Sequence, residues 1–145
     1  MQQPQAFPRR RRYKLPAHEQ QDTLLPFVSY LPERSYPHYW QMPVPDDDFA
    51  ANVAYGRECA GHLLQWLKDN QPYAGGGLLS RIARDIDFDD IDGRGYWIGF
   101  FNLLEHALLL SALHLKVFPY VDHYHRTHEG RIWRRQLEER FGRKH

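Results

Sequence analysis

From residue 46 onward, apolar residues recur at helical spacing. Phe49, Val53, Ala60, Leu63, Leu64 and Leu67 share one side of a helix over about 47–70, the pattern of a helix that buries one face. Asp46, Asp47 and Asp48 precede it, where carboxylates accept from free backbone N–H groups and suit the positive end of the helix dipole. Gly56 and Ala60 lie on the buried face and admit a second helix at close range. Asn70 and Pro72 close the segment, and Gly75–Gly77 make a flexible loop. Leu78, Leu79, Ile82 and Ile86 predict a shorter helix over about 78–87. The stretch from Tyr96 to Phe118 is apolar nearly all round, which predicts a central, most-buried helix over about 94–118. Pro119 ends or kinks it, and 120–127 read as a polar, aromatic linker. Ile132, Trp133, Leu137 and Phe141 predict a last helix over about 128–141, capped by Thr127, with Gly142 just past its end.

The first third of the chain has a different texture. Eight of the ten prolines stand before residue 46, and each removes a backbone donor and turns its predecessor away from helix. Residues 24–45 also carry Leu24, Leu25, Phe27, Val28, Tyr30, Leu31, Tyr36, Tyr39, Trp40 and Met42. An extended segment this apolar lies on a surface, either that of its own helices or that of a partner. The expected architecture is therefore all-α: a single domain of three to four helices over 46–145. An extended Pro/aromatic arm over 24–45 and a basic, disordered tail over 1–23 precede it.

Composition narrows the function classes. At 145 residues the chain supports one core. The net charge of +1 conceals an uneven distribution. Arg9, Arg10, Arg11, Arg12 and Lys14 form a cluster without an acid, residues 46–94 carry ten acids against five bases, and residues 126–145 carry seven bases against three acids. Basic ends allow a polyanion partner. Phosphate contacts would then come from Arg9, Arg10, Arg11 and Arg12, and from Arg131, Arg134 and Arg135 on the last helix. Against this, the middle is acidic, Glu138 and Glu139 dilute the basic helix, and no nucleic-acid-binding signature is present. Cys59 is the only cysteine, so neither an intrachain disulfide nor a thiolate cluster can form, which fits a reducing, cytoplasmic setting. No apolar h-region follows the N-terminal basic residues.

The candidate chemistry is sparse. Residues 96–115 have the length to span a bilayer. Asn102, Glu105, His106, Ser111 and His114 interrupt them, and the expectation is a core helix with no membrane partner. The run Asp85, Asp87, Asp89, Asp90, Asp92 resembles the start of a calcium loop, but Asp90 stands where glycine is needed and Tyr96 where the bidentate Glu belongs. His123 and His125 would point the same way in an extended chain, and His128 could close a zinc site with them; the paired signatures of such sites are missing. Ser80 lacks a nucleophile-elbow setting, and Cys59 sits inside an amphipathic helix. The expectation is a protein without enzymatic activity or cofactor.

The run Arg94-Gly95-Tyr96-Trp97-Ile98-Gly99-Phe100-Phe101, with Leu103, Leu104 and Glu105, resembles segments of small accessory proteins of bacterial plasmids, phages and integrative elements. Tyr36-Pro37-His38-Tyr39-Trp40-Gln41-Met42-Pro43 adds to the likeness. The resemblance implies an inhibitor of a host defence system or a regulator. The expected activity is protein–protein interaction, anchored by Tyr30, Tyr36, Tyr39 and Trp40, because such aromatics dominate interfaces. A homodimer is compatible with the pattern. A nucleic-acid-binding accessory protein and a His-rich metal-binding protein are the alternatives.

Overall fold

The computed structural model describes residues 6–14, 22–70 and 77–127. The fold is helical: α1 spans Phe49–Asp69, α2 Leu78–Asp85, α3 Arg94–Ala112 and α4 Val117–Arg126. No strand occurs among the described residues; the arm carries only an isolated antiparallel bridge between Ser29 and His38. The chain divides into two compact units, residues 1–105 and 106–145.

The first unit is built on α1 and the first half of α3. Asp48 caps α1 by accepting from the Ala50 N–H at 3.0 Å. The Asn52 side chain, almost wholly buried, closes a pair of hydrogen bonds with the Asp46 backbone. The small residues on the buried face do what their spacing predicts. A Cβ on Gly56 would collide with the Tyr96 carbonyl, and one on Gly99 with the Val53 carbonyl. The two backbones approach so closely that only glycine fits at these positions. Tyr55 and Tyr96 then meet edge to face with ring centroids 5.5 Å apart.

The arm packs over this pair, as its apolar residues predict, but it doubles back instead of lying extended: turns close at Leu25–Val28 and Leu31–Arg34, and Ser29 and His38 pair antiparallel. Leu25, Phe27, Val28 and Tyr39 are buried, and Trp40 and Met42 pack against them. Phe27, Trp40 and Phe100 form an aromatic cluster with centroids 5.0–6.0 Å apart. Asp22 takes an ion pair from Arg81 and Asp85 accepts from the Tyr39 N–H at 2.9 Å, so the segment is fastened to α2 at its start and at residue 39.

Three expectations change. The most buried helix is α1, not the one that follows Gly93: α3 buries Gly95, Tyr96, Gly99, Phe100 and Leu104 and nothing beyond. The helix expected to run to 118 stops at Ala112, and residues 117–126 form α4 instead of a linker. Pro119 explains both. Its ring would clash with the carbonyl of Leu115 inside a continuous helix, yet it is tolerated in a first turn, where its missing N–H has no partner to lose. The chain breaks one turn earlier and restarts with Pro119 at the third position of α4. Thr127 is the C-cap of α4, its N–H bonded to the His123 and Tyr124 carbonyls. The expected helix over 128–141 lies outside the described residues.

Candidate functional site

Residues 6–14 run along α1 and do not form a free tail. Arg10 makes a bidentate pair with Glu58, both bonds at 2.7 Å. Arg12 reaches Asp69 through Nε and Nη2, the shortest contact being 2.7 Å. The same carboxylate accepts from the Tyr13 N–H at 2.7 Å and from Gln65 Nε2 at 3.0 Å. Asn70 donates to the Tyr13 carbonyl, and Tyr13 Oη is hydrogen-bonded to His62 Nδ1 at 2.6 Å. Tyr13 is only 1% exposed. Hydrogen bonds from Arg12, then from the Tyr13 N–H and Gln65, hold the Asp69 carboxyl at about 2.

A cavity of about 450 Å³ opens beside this clasp, lined in part by Phe7, Arg10, Arg57, Glu58, His62 and Leu103. Its chemistry is that of a fastener. Burial lowers the His62 pKa, leaving a neutral ring, and the hydrogen bond from Arg10 lowers that of Glu58. Tyr13 keeps its proton because burial raises its pKa. Cys59, behind this face, is completely buried and its thiol is pushed up to about 12, far from the thiolate that nucleophilic chemistry needs. Among the described residues no Ser, Thr or Cys lines the cavity.

The arginine run is thus divided. Arg10 and Arg12 are committed to carboxylates, while Arg9 lies on the exposed side and Arg11 sits over the Tyr13 ring. Arg131, Arg134 and Arg135 lie outside the described residues. The expected aromatic anchors divide as well. Tyr30 is 66% and Tyr36 51% exposed, with Arg34 and Arg84 stacked on Tyr36. Tyr39 is 5% exposed with its hydroxyl on Asp22, and Trp40 is packed on Phe27 and Phe100. Both help hold the arm to its own core; Tyr39 is buried, whereas Trp40 is half-buried and keeps an exposed part.

His123 and His125 stand on α4, where residues two apart point to nearly opposite sides. The shared direction that a zinc site required is lost with the extended conformation. His128 lies outside the described residues, and no group of metal-ligating side chains is found among the described ones.

The second unit holds what the sequence pattern did not single out. Leu108, Leu109, Leu110, Leu113 and Leu115 are 42–70% exposed, and Val117, Phe118, Tyr120, Val121 and Tyr124 are 38–77% exposed. The all-round apolarity that predicted a core helix is present, but residues 108–124 bury none of these side chains. The visible signal was the run itself; what misled was its assignment to this chain's own core. Among the described residues no single helix is long and apolar enough to cross a membrane, and α3 and α4 reach that composition only as a bent pair. Comparison with family models, with curated proteins and with solved structures returned no match.

Proposed function

We propose that this protein acts without catalysis, by binding a protein through the apolar surface of residues 108–124. The observation that supports this reading is the exposure of ten large apolar side chains on one short stretch. Helices that are hydrophobic all round are normally covered, and this much apolar surface exposed on neighbouring residues marks an interaction site. The first unit supplies a well-packed scaffold, and Tyr30, Tyr36 and Arg84 add exposed side chains of the types enriched at interfaces. An inhibitor of a host defence system or a regulator, as the resemblance to mobile-element accessory proteins implies, works in this way, by occupying a partner.

The nucleic-acid reading is the weaker one, because Arg10 and Arg12 are already neutralised by Glu58 and Asp69. A photo-crosslinking residue in place of Leu113, activated in cells that express the protein, tests the proposal. The expected product is a protein adduct that disappears when Leu109→Glu is added. Crosslinks to lipid alone, or none, would refute it.

A further inference from the structure

Resting on that reading, we infer that the occupant of the 108–124 surface is a second copy of this chain. The first argument is area. Aromatic side chains carry roughly 150–250 Å² each and aliphatic ones somewhat less, so at the observed exposures the apolar surface is on the order of 900 Å². A stable interface takes about 800 Å² from each partner, whereas the largest apolar patch on a monomer is about 300–600 Å².

The second argument is self-complementarity. A twofold contact places one patch against its own copy, so a patch dominated by one sign of charge repels itself. Here Lys116 and Asp122 bring both signs and the remainder is chiefly leucine and aromatic. Apolar surface of this kind is also what distinguishes homodimer interfaces.

The third argument concerns cover from within the chain. Residues 128–145 contain nine charged residues and only four large apolar ones, Ile132, Trp133, Leu137 and Phe141. By composition these four are fewer than half of the ten that stand exposed over 108–124. Lying on a bilayer surface fits less well: interfacial helices segregate a strongly basic face from an apolar one, and in 106–124 Lys116 is the sole lysine or arginine, offset by Asp122.

Light scattering coupled to size exclusion, on the full chain at about 5–100 µM, reads the mass. The mass expected is twice that of the chain. It should halve in Leu109→Glu/Leu113→Glu and in Phe118→Glu, each with the helical circular dichroism of the wild type. A dimer that survives both variants overturns the inference. So does a monomer at all concentrations, and hydrogen exchange then separates the two levels of failure. Unprotected amides over 108–124 leave the protein-docking reading standing with another partner. Protected amides in a monomer mean that the chain covers itself, and both readings fall. Co-sedimentation with phosphatidylcholine or phosphatidylserine vesicles, lost in the same variants, also defeats both.

Discussion

The clasp between residues 6–14 and α1 is where a single side chain carries most weight, and Asp69→Ala probes it. The carboxylate is 1% exposed and accepts from Arg12, the Tyr13 N–H and Gln65. Removing it strands the Tyr13 N–H in a buried position, which costs about 1–3 kcal/mol, and ends charge-assisted hydrogen bonds worth about 1.5–3 kcal/mol each. Relaxation recovers part of this, so a loss of about 3 kcal/mol is expected, or about 10 °C in Tm. Arg12→Ala takes the strongest donor from a carboxylate that is 1% exposed, but the Tyr13 N–H and Gln65 still hold it, so it should cost less, about 1.5 kcal/mol. The assay is thermal and urea unfolding of both variants, with hydrogen exchange over 6–14. Because the Asp69 carboxyl is depressed from 3.8 to about 2, its contribution is complete above pH 3.8 and is lost as pH falls towards about 2. Asp69→Ala should lack that pH dependence. Equal costs for the two variants, or undiminished protection of 6–14 in Asp69→Ala, would refute the clasp.

Other outcomes follow from the packing. Gly99→Ala drives a Cβ into the Val53 carbonyl and should cost about 3 kcal/mol, read as a drop in Tm; a neutral effect would mean that α1 and α3 are not in backbone contact. Phe100→Ala empties the cluster with Phe27 and Trp40 and should cost about 4 kcal/mol, whereas Tyr36→Ala, exposed, should stay within about 0.5 kcal/mol, both by urea titration. Cys59, buried with its thiol at about 12, should resist a thiol reagent in the native protein and react on unfolding. Nucleic-acid affinity at physiological salt should be absent up to tens of micromolar, since two of the four clustered arginines are already paired; a steep salt dependence in a gel-shift titration would contradict this.

The helical class and most of α1 and α2 could be read from periodicity, because one-sided burial imposes a 3.6-residue repeat. Gly56 announced the close approach of another helix, and the prolines announced the arm. The facing of the arm's aromatics was hidden. Tyr30 and Tyr36 point outward while Tyr39 and Trp40 point inward, and that choice depends on the Ser29–His38 bridge and the Asp85–Tyr39 hydrogen bond, contacts distant in sequence. The pairing of Arg10 with Glu58 and Arg12 with Asp69 was hidden for the same reason, 48 and 57 residues apart, so a local count of charges suggested a free tail. The apolar run over 96–118 was plain, but periodicity reports only that a surface needs cover, not what covers it. Its first half packs within the first unit and its second half remains exposed.

The most direct test of the 108–124 surface is radical footprinting of its leucine and aromatic side chains, first in cells and then on purified protein diluted to nanomolar concentration. The expected result is shielding of Leu108, Leu113, Phe118 and Tyr124 in cells and full reactivity on dilution, with Tyr30 and Tyr36 as internal references. Equal reactivity of those four side chains in both states would contradict a protein partner at this surface.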